Sequence, residues 1–182
     1  MPANQCRDFF ALNAEIGDIA KKLQEIPNPV AWELLSASDH SPGPVRNDEV
    51  LYRQILHPIH VDLESRTLKP TAFDDAADKG MSVERIAYKS LDDIRQSGRD
   101  RAAAQRIQPK YADRRLYAIA ELHSVEIRSI FVEGNRRGLA VYDTAKSENK
   151  AHADICQIVK GKQIGRSIRS QLINAVKSLL EE

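Results

Sequence analysis

At 182 residues, 42% hydrophobic and 29% charged, the chain has the size and composition of one folded domain rather than a disordered segment. Its 27 Lys and Arg stand against 26 Asp and Glu, so whole-chain charge gives no argument for a nucleic-acid or membrane-surface partner. Two cysteines, Cys6 and Cys156, exclude a disulfide framework, and no apolar run is long enough to span a bilayer.

The opening MPANQCRDFFALNAEIGD lacks a basic leader followed by an apolar stretch, so a cytoplasmic setting is the expectation. Phe9, Leu12, Ile16, Ile19 and Leu23 recur at steps of three and four, which predicts a helix over 5–25 ended by Pro27 and Pro29. Val30 to Leu35 reads as a second helical piece, with Trp32 as a packing anchor. The stretch SASDHSPGP at 36–44 is a loop built from turn-forming residues. It divides the chain into a helical N-terminal arm, 1–35, and a main α+β domain, 45–182.

Asn47 or Asp48 can cap a helix from Asp48 to Leu56, with Pro58 as its stop. An extended segment through Val61 and Leu63 follows. Thr71 with Asp74 predicts a small capped helix ended by Gly80. Ser82 reads as the cap of a helix to Gln96, with Val83, Ile86, Ala87, Ser90, Leu91 and Ile94 on one face. Gly98 breaks it, and a helical stretch resumes over 99–108.

Alternation over 117–122 predicts a strand through His123, followed by a helical turn from Ser124. A helix over 112–123 is the competing reading, using Leu116, Ile119, Ala120 and His123. EGNRRG at 133–138 is a turn, and Leu139 to Tyr142 a second strand. Ser147 to Val159 is predicted helical, with Ala151, Ile155 and Ile158 inward. A last amphipathic helix from Gln163 carries Ile164, Ile168, Leu172, Ala175, Val176 and Leu179 on one stripe. The expected class is α+β: a small sheet flanked by several helices.

Three clusters could carry chemistry. His57, His60 and Asp62 offer imidazole and carboxylate ligands suited to a divalent metal, provided the loop around Pro58 bends them together. His152 and Asp143, joined by His123 at a strand end, could form a site in which a histidine acts as general base. Cys156 shares a helical face with His152, yet no feature of the sequence lowers its thiol pKa, so it reads as a small buried residue. Lys162, Arg166 and Arg169 form a basic face at the start of the last helix that could meet phosphates. GKQIGRS at 161–167 lacks the full phosphate-loop order and excludes that kind of NTPase.

These features predict an enzyme with a His/Asp-lined cleft, a hydrolase or transferase acting on a nucleotide or nucleic-acid-like anionic substrate. The alternative is a non-catalytic module that binds nucleic acid or protein through the basic C-terminal helix. The expected partner is an anionic ligand or nucleic acid and not a membrane; a homo-oligomer is compatible with the amphipathic end helices.

Overall fold

The computed structural model describes residues 2–13 and 17–182. The N-terminal part contains α1 (Pro2–Asn13), α2 (Ile19–Leu23) and a 3-10 helix over Pro29–Leu34. Next come β1 (Val50–His57), β2 (Val61–Asp62), β3 (Thr67–Leu68), a 3-10 helix over Pro70–Ala77 and β4 (Met81–Arg85). Then follow α3 (Leu91–Gln105), β5 (Arg115–His123), α4 (Ser124–Arg128), β6 (Phe131–Val132) and β7 (Arg136–Arg137). The chain closes with β8 (Leu139–Tyr142), β9 (His152–Gln157), α5 (Lys162–Asn174) and β10 (Ser178–Glu181).

The fold is α+β. Six strands form one antiparallel sheet in the order β10-β5-β1-β4-β9-β8, while β2–β3 and β6–β7 are separate two-stranded ribbons. Because side chains alternate along a strand, each strand contributes to two different surfaces. Leu51, Ile55, Val83, Ala120, Val141, Ala153 and Ile155 face one side and belong to the largest apolar cluster. Phe73 from the second 3-10 helix, Ile127 from α4, and Ile168 and Leu172 from α5 close that face. Each such fully buried side chain contributes about 1.5–3 kcal/mol.

The opposite face is covered in two pieces. At one end α1, α2 and the first 3-10 helix pack Cys6, Phe10, Ala20 and Leu23 against Ala140, Tyr142 and Cys156. At the other end α3 packs Ile94 and Ala102 against Leu56, Leu116 and Ile119. Gly98 sits where α3 touches the sheet; an added Cβ would lie 2.9 Å from a Leu116 methyl, so glycine sets how closely the helix approaches. Between the two covers a polar strip of sheet stays open.

Charged groups are also buried on the closed face. Arg85 donates through Nε and Nη2 to both oxygens of Glu49 at 2.7 Å, and its Nη1 reaches the Gly43 carbonyl at 2.8 Å. Arg53, 2% exposed, donates to the carbonyls of Ser82 and Ala72 and meets Asp75. Glu33 accepts from Arg128 and from the Val141 amide on the free edge of β8 and forms an ion pair with Arg137, so the N-terminal arm is tied to the sheet by charge as well as by apolar packing.

Several sequence expectations fail here for identifiable reasons. The stretches read as helices at 48–56, 82–96 and 147–159 overlap β1, β4 and β9, with α3 beginning only at Leu91. All three strands lie inside the sheet, and in β1 and β9 burial on both faces puts buried residues at both parities and erases clean alternation. In β4 the strict alternation is present, but its third inward residue is Arg85, not an apolar one. Ser90 rather than Ser82 caps the helix, accepting from the Asp93 amide at 3.2 Å, and α3 passes through Gly98 unbroken. The predicted 5–25 helix is two helices; Gly17 adopts φ +71°, and Ile16 lies outside the described residues. The last helix ends at Asn174, and the chain then turns back as β10. The strand at 115–123, the turn from Ser124 and the strand Leu139–Tyr142 are as expected. No helix among the described residues is long and apolar enough to cross a membrane.

Candidate functional site

The open strip of sheet is defined by strand register. Glu121 lies opposite Tyr52, Tyr52 opposite Glu84, and Glu84 opposite His152. One step further along β4 and β9, Ser82 lies opposite Asp154. Directly paired residues in antiparallel strands share a face with Cβ atoms about 4.5–5.5 Å apart. The strip is therefore a two-row array of Glu84, His152, Ser82 and Asp154, flanked by the helical covers.

Two adjoining cavities open over this array, of about 520 and 360 Å³. Ser82, Arg101, Lys146 and His152 line both, so they form the waist where the cavities meet. The larger lobe adds Phe10, Ala11, Ile19 and Ala37 from the N-terminal side, with Asp154 and Thr144 on its floor. The smaller adds Tyr52, Gln54, Glu84, Lys89, Ser97 and Asn149.

At the waist His152 and Asp154 are each 8% exposed. The His152 Nδ1 is 3.1 Å from the Thr144 carbonyl and 3.0 Å from the Thr144 hydroxyl. A carbonyl only accepts, so Nδ1 carries the proton and Nε2 is left with a free lone pair. The Thr144 hydroxyl donates to Asp154 Oδ2 at 2.7 Å, and the other carboxylate oxygen lies 3.9 Å from His152 Nε2. Beneath them Gly80 adopts φ +83°, and a Cβ there would lie 3.2 Å from Asp154 Cβ and from Cys156 Sγ. Glycine is what lets the chain pass under Asp154.

Most charges around the cleft are paired. Arg7 meets Asp39 at 2.7 Å, Lys79 meets Asp75 at 3.4 Å and Lys89 meets Glu84 at 3.3 Å. Asn149 also donates to both oxygens of Glu84, at 3.0 and 3.1 Å. Among the described residues, Arg101 and Lys146 have no carboxylate partner. Once paired charges cancel, two cations remain at the waist beside the His152–Asp154 couple.

The sequence-predicted residues fall into different places. His152 is in the cleft. Asp143 is one residue beyond β8 with the opposite parity, so it faces Arg85, at 3.4 Å, and the Ser41 hydroxyl instead. Burial raises the Asp143 carboxyl above its ordinary value, against the lowering effect of Ser41 and Arg85. His123 stands three strands from His152, about 14 Å at ordinary strand spacing, and contacts Glu121 at 3.0 Å. His60 accepts the Leu56 amide on Nδ1 at 3.1 Å, and burial lowers its pKa to about 3. Asp62 accepts the Glu64 and Ser65 amides. Among the described residues no group of three or more His, Cys, Asp or Glu is placed to hold a metal ion. Arg169 of α5 pairs with Asp74 at 3.2 Å, Arg166 is exposed, and the Lys162 side chain lies outside the described residues. Cys156 is fully buried, and burial pushes its thiol well above the ordinary value, which leaves it unsuited to act as a nucleophile.

Asp154, Thr144, Ser82, Glu84 and Lys146 were not singled out as site residues by sequence. The usable signal was parity: His152 and Asp154 share a face only on a strand, as do Ser82 and Glu84. Comparison of the chain with protein-family models, with curated proteins and with solved structures finds no significant match.

Proposed function

We propose that the chain is an enzyme that hydrolyses or transfers a phosphate-bearing, nucleotide-like anionic substrate in this cleft. The observation that carries the reading is the waist itself. There a histidine with one ring nitrogen fixed by the Thr144 carbonyl lies beside Asp154 in a cleft that the exposed cations Arg101 and Lys146 also line. Polar groups that converge in a cavity of a few hundred Å³ are the usual form of a ligand site.

His152 acts as general base through Nε2. It takes a proton from water or from an acceptor hydroxyl as that oxygen bonds to phosphorus. The phosphorus–oxygen bond to the leaving group breaks, and the imidazolium returns the proton to the leaving oxygen, so atoms and charge balance. Asp154 stabilises the intervening imidazolium, and Thr144 positions both. Arg101 and Lys146 hold the phosphate and stabilise the charge that builds on it.

The test is turnover of a panel of nucleotides and of mono- and diesters of p-nitrophenyl phosphate. The wild type is expected to turn over at least one member, with the rate falling about 10²–10⁴-fold in His152→Gln. Wild-type rates in His152→Gln, or an inert wild type across the panel, would overturn the reading.

A further inference from the structure

The two lobes that meet at His152 differ in chemistry. The larger has one apolar wall, Phe10, Ala11, Ile19 and Ala37, and a rim of charged groups that includes the Arg7–Asp39 and Lys79–Asp75 pairs. The smaller is walled by groups that exchange hydrogen bonds, namely Tyr52, Gln54, Glu84, Ser97 and Asn149. The waist between them holds Arg101 and Lys146, one from α3 and one from the loop before β9. A ligand filling only one lobe would leave the other solvated and would use the waist cations from one side only.

We infer that the cleft takes a two-headed phosphoester. A planar aromatic group such as a nucleobase lies with its face on the apolar wall of the larger lobe, the phosphate bridges Arg101 and Lys146, and a polyhydroxyl group such as a sugar lies in the smaller lobe. The inference deepens the proposed function and rests on it only for which bond is broken.

Glu84 is the residue that reads the hydroxyl-bearing end. Lys89 and Asn149 fix its carboxylate, and a carboxylate has about four acceptor positions, so it keeps capacity for a ligand hydroxyl. Its place directly opposite His152 in the sheet puts that acceptor next to the reacting centre. Ala11, exposed on α1, lines the apolar lobe without belonging to the apolar core beneath, so it sets the room for the planar end.

Calorimetric titration of the His152→Gln protein separates the parts. The probes are uridine monophosphate, glucose 1-phosphate and uridine diphosphate glucose, which joins both ends. The joined ligand is expected to bind at least about tenfold tighter than either half, because its second end binds intramolecularly. Ala11→Trp, made in the same background, weakens the two uridine ligands by about tenfold or more and leaves glucose 1-phosphate unchanged, which also shows that the variant is folded. Glu84→Ala weakens the two glucose ligands and leaves uridine monophosphate unchanged. Loss of all three ligands in both variants, or a joined ligand no tighter than its halves, would overturn the inference. Binding needs no turnover: this pattern with an inert wild type sinks catalysis alone, and turnover without the pattern sinks the two-headed ligand alone.

Discussion

The two faces of one sheet are built from the same strands and do opposite things. On the closed face of β9, Ala153 and Ile155 vanish into the main apolar cluster under α5 and the second 3-10 helix. On the open face of the same strand, His152 and Asp154 stand in a gap that neither α1 and α2 nor α3 covers. The closed face does contain charges, but Arg85 is matched by Glu49 with two hydrogen bonds and Arg53 by carbonyls and Asp75. At the open waist, among the described residues, Arg101 and Lys146 are unmatched. Buried charge matched by a carboxylate reads as architecture, and in the proposed function the exposed, unmatched cations at the mouth of the cavity are provision for a ligand.

That contrast can be broken most forcefully at Glu49. Burial alone would raise its carboxyl, and the Arg85 hydrogen bonds reverse that and hold it below its ordinary value. Glu49→Leu leaves the buried Arg85 guanidinium with the Gly43 and Pro44 carbonyls and, as its one carboxylate, the longer contact to Asp143, and should cost about 3–5 kcal/mol by urea unfolding. A loss below about 1 kcal/mol would mean that the closed-face network is not structural.

A smaller effect is expected from His60, whose pKa burial lowers to about 3 from its ordinary 6.5. The unfolded chain then binds more protons than the native one between those values. Stability is therefore intact above pH 6.5 and falls as pH drops through it, by about 2 kcal/mol between pH 7 and pH 5. His60→Gln should flatten that part of the stability–pH curve, and an unchanged slope would place the acid sensitivity elsewhere.

At Gly80 the expected cost is about 1–2 kcal/mol. Alanine there must adopt φ +83° and crowd Asp154 and Cys156, so Gly80→Ala should lower both the unfolding midpoint and the turnover by moving Asp154. Smallest of all is Ser82→Ala in the open strip, expected within about 0.5 kcal/mol of wild type in denaturant. A drop of 2 kcal/mol there would make the strip part of the structural core.

How far these features were readable in the sequence follows the same division. The strand at 139–142, the strand and turn at 115–128 and the start of α5 were legible, because their periodicity or turn residues match their surroundings. β1, β4 and β9 were not, because each lies within the sheet and has polar or charged residues among its buried positions: Arg53 and Gln54, Arg85, and His152 with Asp154. His152 was found for its chemistry. Its partner Asp154 was missed because a helical reading of the stretch turns the two apart, whereas the strand puts them on one face. Asp143 was favoured for lying at a strand end, but parity sends it to Arg85. Arg101 and Lys146 come from segments 45 residues apart and meet only through tertiary packing.

The two faces are compared most directly by denaturant unfolding of two β9 variants, Ile155→Ala and His152→Gln, side by side. Ile155→Ala should lose about 2–5 kcal/mol through the cavity it leaves in the closed face. His152→Gln should lose less than about 1 kcal/mol, as the proposed ligand role of the open strip requires. Equal losses in the two variants would contradict the account and return His152 to the structural core.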